Sequence, residues 1–158
     1  MNEQLFTQKL LSSEQMLYRI ACSMLRSEAD RQDVLQETAL KAWQHQYRLR
    51  EEKYFKTWIA RILINECRSL YRKNSRMIPM DTVPDRPAPE SEALEMRMML
   101  EALPDRQRIP IVLHYLEGFS LEEIARVQQI SIGMVKYRMH QARKALRVEW
   151  NGKEEEKK

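Results

Sequence analysis

Glycine is the residue that most limits what this chain can fold into. Only three glycines occur among 158 residues, at positions 118, 133 and 152. Hairpin sheets and phosphate-binding loops need residues that tolerate a positive φ, and three widely spaced glycines cannot form a G-x-G-x-x-G loop or a Walker loop. A nucleotide-binding α/β fold is therefore not expected. Since Leu, Glu and Arg, which are good helix formers, are among the commonest residues, the sequence predicts an all-helical protein.

The N-terminal half carries three amphipathic stripes. Apolar residues recur at i, i+3, i+4 and i+7 and predict helices over about 13–26, 28–44 and 54–73. The segment from Ser27 to Asp30 is typical of a capping box at the start of the second helix. Together the three stripes predict one small helical bundle.

Residues 77–92 interrupt the helical pattern. They contain four of the six prolines and carry a net charge of −3. Such a composition is typical of a stiff, extended linker. Further apolar stripes follow it, so we expect an all-α fold with two small helical domains, 1–76 and 93–150, joined by this acidic, proline-rich linker, with a charged tail at 151–158.

The third predicted helix has a basic face. Residues 53–76 hold seven bases against the single acid Glu66. One stripe, at i, i+4, i+7 and i+11, consists of Arg61, Asn65, Arg68 and Arg72. A solvated basic surface is one interpretation. Because Asn reads base edges and bases stack on aromatic rings, the Asn among these arginines and the nearby Tyr47, Tyr54 and Trp58 favour nucleic-acid binding.

The second predicted helix has the opposite sign. Its first half contains Glu28, Asp30, Asp33 and Glu37 against Arg31. Acids near a helix N-terminus favour the helix dipole, which accounts for Glu28 and Asp30 but not for the other two. An acidic patch beside a basic one repels DNA, so it indicates a protein partner.

Residues 119–146 predict a helix-turn-helix. Ser120 and Glu123 form a capping box, Ser131 begins a second helix, and Val135 and Met139 face the first. Residues 134–147 contain five bases and no acid, as expected of a helix that lies along phosphates. The alternative is a plain helical hairpin with a basic exterior.

Other functions find little support in the sequence. Cys22 and Cys67 lie in separate apolar helical patterns, which indicates a reduced, cytoplasmic protein without disulfides. The three histidines form no H-x-x-x-H motif and there is no G-x-S-x-G, so we expect no metal, no cofactor and no catalytic activity. The N-terminus lacks the pattern of a signal peptide and no apolar run is long enough to insert into a membrane.

Over about residues 10–148 the chain resembles the bacterial sigma factors of the extracytoplasmic function (ECF) type, which direct RNA polymerase to promoters. Four stretches carry the resemblance: Ala29–Thr38 with Ala42 and Trp43, Phe55–Ile62 with Asn65, Arg72 and Lys73, Leu103–Arg108, and the helix-turn-helix through Leu146. The family has two helical domains, regions two and four, joined by a short linker.

The resemblance implies a role for each surface. Asp33, Gln36 and Glu37 would bind the clamp helices of core RNA polymerase. The loop from Tyr47 to Lys53 would hold a flipped base of the minus-ten element. The minus-ten strand would be bound by Arg61, Asn65, Arg68, Arg72 and Lys73. The minus-thirty-five duplex would be bound by Ser131, Lys136, Arg138, His140 and Arg143. The linker would thread the polymerase cleft, and an anti-sigma factor, often membrane-bound, would hold the protein inactive.

The sequence departs from the family at several positions. Gln129 replaces a common turn glycine. Because a residue with a Cβ does not readily adopt a positive φ, we expect the turn to form without one. Met134 and Tyr137 replace small hydroxyl residues, and Ser69 replaces a common Asp, which affects the promoter sequence that is recognised.

Two other functions remain open at this point. The helix-turn-helix alone would also suit a DNA-binding repressor or response-regulator output that never contacts polymerase, but such a protein has no use for the patch of Asp33, Gln36 and Glu37. A sigma-like adaptor that does not open promoters is disfavoured by the intact basic face.

Overall fold

A computed structural model describes residues 1–77 and 92–156, with side chains for 1–73 and 95–147. The chain divides into two compact units, Met1–Val83 and Pro84–Lys158. Over the described ranges all regular structure is helical and no strand occurs, which confirms the all-helical prediction. Of the predicted linker, 77–92, residues 78–91 lie outside the described residues. Its two end residues belong to helices, Met77 to the one that ends there and Glu92 to the one that begins there.

Over residues 1–77, which the structure describes, the first unit is a bundle of three α-helices. They are α1 (Glu3–Met24), α2 (Glu28–His45) and α3 (Phe55–Met77), with two 3-10 turns, Gln46–Arg48 and Glu52–Tyr54, between α2 and α3. Each helix packs against the other two. The apolar core is formed by Leu17, Ile20, Ala21, Met24, Val34, Ala42, Phe55, Ile59, Ala60, Leu63, Ile64 and Cys67. The predicted bundle is thus confirmed.

The start of α1 was predicted wrongly. The helix begins at Glu3 rather than near residue 13, and the side chain of Asn2 caps it by accepting a hydrogen bond from the Leu5 N–H at 2.8 Å. Phe6 is buried, with its ring edge-on to Trp43 at 5.3 Å and to Phe55 at 6.1 Å. One cap, Asn2, and one aromatic anchor, Phe6, therefore extend the helix to Glu3.

Over its described residues, 92–156, the second unit contains four α-helices. They are α4 (Glu92–Ala102), α5 (Asp105–Ile111), α6 (Leu121–Gln128) and α7 (Ile132–Glu156). The last of these packs against the other three. The core is formed by Met99, Leu103, Ile109, Ile111, Val112, Leu113, Phe119, Ile124, Val127, Val135, Met139 and Ala142.

Arg108 joins α4 to α5. Its guanidinium is buried and donates from Nη1 to the carbonyl oxygens of Glu101, at 3.1 Å, and Leu103, at 3.0 Å. It also forms an ion pair with Asp105. Because the last carbonyls of a helix have no partner within the helix, Arg108 satisfies the end of α4 and fixes the turn into α5.

Two helix ends in this unit differ from the sequence prediction. The apolar period over 109–116 predicts one element, but α5 ends at Ile111 and Val112–Leu116 form a π-helical turn. Pro110 has no N–H for the α-helical ladder, and the wider turn leaves Tyr115 and Leu116 exposed. At the other end, α7 continues through Glu156, into the residues that the sequence assigns to the charged tail.

Candidate nucleic-acid and protein interfaces

The acidic patch of α2 is a strip on its solvent side. Asp33, Gln36 and Glu37 are all exposed and lie at helical spacing on one face. Leu40 continues this face one turn later and is 50% exposed. We call these four residues the α2 strip. The strip thus combines an exposed apolar side chain with exposed carboxylates, as protein-binding surfaces commonly combine apolar and polar groups.

Glu28 is not part of this strip, because its carboxylate binds groups within the first unit. It accepts hydrogen bonds from the Tyr18 hydroxyl at 2.7 Å, from the Gln32 amide at 2.9 Å and from Arg31 at 3.3 Å. The hydrogen bonds from Gln32, Tyr18 and Arg31 lower the pKa of Glu28 below its usual value. Glu28, near the N-terminus of α2, thus differs from Asp33 and Glu37, whose side chains are exposed to solvent.

The basic face of α3 consists of the stripe that the sequence predicts. Asn65 and Arg72 are exposed, while Arg61 and Arg68 are half-buried. The stripe lies on the side of α3 away from the buried Ile59, Leu63 and Cys67. Lys73 is also exposed, but it follows Arg72 by one residue and so points about 100° away around the helix axis.

The loop between α2 and α3 presents aromatic rings beside cations. Tyr47 is 71% exposed and the Arg48 guanidinium lies 5.7 Å from its ring centre. The Lys53 ammonium lies 5.1 Å from the ring of Tyr54. In such a pair the ring can stack on an unstacked base, and the cation can bind the phosphate of the same strand. Trp58, by contrast, is half-buried and packs 5.8 Å from Phe55.

The helix-turn-helix has the caps that the sequence predicts. The Ser120 hydroxyl accepts from the Glu123 N–H at 3.1 Å, and the Glu123 carboxylate accepts from the Ser120 N–H at 3.0 Å. Ser131 caps α7 by accepting from the Met134 N–H at 3.1 Å. Val135 and Met139 are buried, as expected.

The turn of this motif corrects the prediction made for Gln129. Gln129 takes the left-handed conformation, with φ 56° and ψ 46°, that a glycine would adopt. The Ile130 N–H then bonds to the Ala125 carbonyl at 3.1 Å, and Val127 and Gln128 are buried just before the turn. Burial and this closing hydrogen bond offset a backbone cost of about 1–2 kcal/mol, so the turn keeps its usual form without a glycine.

The predicted duplex-binding residues of α7 differ in their surroundings. Lys136 and His140 are exposed, and Arg138 is half-buried. Arg143 is half-buried and donates to the Tyr115 hydroxyl at 2.9 Å, so it also links α7 to the π-helical turn. Tyr137, which the sequence analysis names as a departure from the family but not as a duplex-binding residue, is 60% exposed on this part of the helix.

Neither a metal centre nor a membrane span is found within the described ranges. No group of three or more His, Cys, Asp or Glu side chains there is arranged to hold a metal ion. No helix of residues 1–77 or 92–156 combines the length and the apolar character needed to cross a bilayer.

Comparisons with known proteins agree with this geometry. Residues 11–77 match the family model for Sigma-70 region 2, and residues 93–146 match that for Sigma-70, region 4. The chain is 30% identical over 146 residues to the ECF RNA polymerase sigma factor SigM of Mycobacterium tuberculosis, which covers 89% of this chain and 74% of SigM. It is 27% identical over 141 residues to RNA polymerase sigma factor SigV of Bacillus subtilis, covering 86% and 85%.

Two solved structures are similar over most of their length. The sigma factor RpoE from Bartonella quintana, crystallised with the anti-sigma factor NepR, has a TM-score of 0.76 and 30% identity, covering 89% of this chain and 93% of that one. CnrH, in complex with the cytosolic domain of CnrY, has a TM-score of 0.75 and 27% identity, covering 96% and 90%.

The fold and these matches define a promoter-recognition subunit of RNA polymerase. The chain belongs to the ECF RNA polymerase sigma factors, since it matches both sigma regions and most of the length of such a relative. It is therefore a transcription initiation factor with a DNA-binding region 4.

Proposed function

We propose that this sigma factor binds core RNA polymerase through Asp33, Gln36 and Glu37 of α2 and guides it to promoters with two separate DNA contacts. In the minus-ten contact, the basic stripe of α3 and the aromatic loop before it hold the melted strand. In the minus-thirty-five contact, α7 enters the major groove of duplex DNA, with Ser131, Lys136, Arg138, His140 and Arg143 along it.

One observation supports the core-binding role above all. The α2 strip lies on a helix that packs directly against α3, whose outer face is basic. DNA on the α3 face is repelled by Asp33 and Glu37, so these carboxylates weaken DNA binding unless a partner covers them. Covering by a polymerase surface of opposite charge removes that cost and adds the apolar contact of Leu40.

The division of labour follows the two units. We assign residues 1–76 to polymerase binding and minus-ten recognition, and residues 93–150 to minus-thirty-five recognition, with 77–92 as the linker and 151–158 as a charged tail. Promoter opening uses binding energy to capture an unstacked strand. The polymerase performs the chemistry, so the protein is not itself an enzyme and works in the cytoplasm beside the polymerase.

An anti-sigma factor is the proposed regulator. The similar chain RpoE was solved with the anti-sigma factor NepR, and the similar chain CnrH was solved with the cytosolic domain of CnrY. This chain exposes apolar side chains in both units, including Leu40, Trp43, Tyr115 and Leu116. Exposed apolar groups of this kind are what a protein inhibitor covers. We propose that a membrane-bound inhibitor holds the chain until a signal releases it.

The test compares DNA binding by the free chain and by the chain with core polymerase. We expect the free protein to bind promoter duplex weakly, because its two DNA contacts are not held together, and to bind far more tightly, with a steep salt dependence, once core is added. Tight sequence-specific binding by the free chain would instead favour a helix-turn-helix regulator that does not contact polymerase.

A further inference from the structure

The outer face of α7 is apolar at its centre. Val135, Met139 and Ala142 are buried and define which side of the helix packs against the unit. At about 100° per residue, Tyr137 lies nearly opposite these three, which agrees with its 60% exposure. Met134, one turn earlier, is 42% exposed.

The backbone before Tyr137 leaves room for a close approach. Gly133 lies one turn towards the N-terminus on the same face as Tyr137. A Cβ built there would find a single neighbour within 4 Å, the Ser131 hydroxyl oxygen at 3.9 Å. The first turn of α7 therefore presents a flat surface beside an aromatic ring and a thioether.

Positive charge surrounds this apolar centre. Lys136 and Lys144 are exposed on the same stretch of helix, and residues 134–147 contain no acid. Such charges suit phosphates. Phosphate binding does not, however, explain why the thioether of Met134 and the ring of Tyr137 are exposed. The major groove offers one apolar group on a base edge, the C5-methyl of thymine. A polycationic helix with an apolar centre therefore complements a duplex that presents thymine methyl groups.

We propose that Tyr137 and Met134 bind thymine methyl groups in the minus-thirty-five duplex and so select thymine over cytosine at those positions. This inference rests on the proposed function, in which α7 lies in that groove. The phenol ring contributes its face and edge rather than its hydroxyl, and the flexible thioether of Met134 adapts to the neighbouring base. Sequence selection by this sigma factor then depends on shape as well as on hydrogen bonds.

The test removes and restores single methyl groups in the DNA. A promoter library transcribed by core polymerase with this chain first yields the minus-thirty-five sequence. Each thymine of that element is then replaced in turn by deoxyuridine, which lacks only the C5-methyl. We expect at least one replacement to weaken holoenzyme binding about three- to fivefold, as for one buried methyl group. Replacing the same thymine by cytosine should also weaken binding, and 5-methylcytosine should recover part of the loss.

Variants link the effect to the two side chains. Met134→Ser with Tyr137→Ser should bind thymine and deoxyuridine promoters equally, whereas Tyr137→Phe should keep the preference because it keeps the ring. Leu11→Ser, which changes an exposed apolar residue of α1, is the matched control and should also keep it. Circular dichroism of each variant confirms that the helices remain.

The outcomes separate the inference from the proposed function. If no library member is transcribed above the level of core alone, the proposed function fails. If a promoter is selected but no thymine in its minus-thirty-five element is sensitive to methyl loss, the thymine reading is wrong while the sigma function stands. A preference that survives the double serine variant would overturn the assignment to Met134 and Tyr137.

Discussion

Lys41 of α2 forms an ion pair with Glu66 of α3. Glu66 is the only acid in residues 53–76, so this pair turns the single negative charge of α3 towards α2 and leaves the outer face of the helix basic. The hydrogen bond to Glu66 also raises the pKa of Lys41, because it stabilises the charged ammonium. One contact therefore joins two helices and preserves the sign of the DNA-binding surface.

The first prediction concerns this pair. Lys41→Met should lower the free energy of unfolding by about 1 kcal/mol, because Glu66 is mostly buried and loses its partner. Adding Glu66→Gln should recover part of the loss, since no uncompensated charge remains. A double-mutant cycle by urea denaturation measures the coupling. If the destabilisation of the double variant equals the sum of the two single destabilisations, the pair does not couple α2 to α3.

The second prediction concerns the α2 strip. Asp33→Ala with Glu37→Ala should weaken binding to core polymerase on the order of tenfold and leave the fold intact, because both carboxylates are exposed. Glu3→Ala with Glu14→Ala is the control, since it removes two exposed acids from α1 and changes the net charge equally. Pull-down with core and circular dichroism provide the measurements. Unchanged affinity of the Asp33 and Glu37 variant would reject the assignment of this surface.

The third prediction separates the two DNA contacts. Arg61→Ala and Arg68→Ala should spare closed-complex formation and slow promoter opening about tenfold, the effect of losing one charge-assisted hydrogen bond to the melted strand. Arg138→Ala should weaken duplex binding and relax specificity at one position, at a cost of about 1–3 kcal/mol.

A promoter with a premelted bubble at the minus-ten element tests this division. On the premelted promoter, the Arg68→Ala variant should open complexes as the native chain does. The Arg138→Ala variant should still bind the duplex weakly. If both variants respond alike on normal and premelted templates, the two contacts do not have separate roles.

The fourth prediction concerns pH. The lowered pKa of Glu28 means that its hydrogen bonds stabilise the fold fully above the ordinary carboxyl pKa near 4.5 and are lost as pH falls through the lower, folded-state value. Glu28→Gln should therefore be less stable than the native chain at pH 7, and the difference should shrink below pH 4.5. The same change should bring down the pKa of Tyr18, which the hydrogen bond to Glu28 raises above 10.0. Because the chain has six tyrosines, the Tyr18 titration is obtained as the difference in phenol absorbance between each chain and its Tyr18→Phe variant, and an unchanged difference curve would contradict the contact.

Most of the fold could be predicted from the sequence because local signals and long-range packing agree. The serine caps at 27, 120 and 131 and the apolar stripes locate α2, α3, α6 and the start of α7. The start of α1 could not be found this way. It depends on the packing of Phe6 against Trp43 and Phe55, and local spacing does not identify contacts between residues so far apart in the chain.

The sequence predicts which residues form the candidate sites but not which contacts those residues make. The helical period places Arg61, Asn65 and Arg68 on one face, as the structure has them. It cannot show that Arg143 also binds Tyr115, because the π-helical turn that positions Tyr115 has no sequence period of its own. Gln129 shows the same limit, since its left-handed backbone is imposed by burial of its neighbours rather than by its own preference.

In vitro transcription from a promoter library, with core polymerase and this chain as the only sigma factor, tests the central claim most directly. The sigma-factor function predicts initiation at a defined set of promoters that core alone does not use, and its loss with Asp33→Ala and Glu37→Ala. Transcription no higher than that of core alone, with a chain that binds duplex DNA tightly by itself, would contradict it.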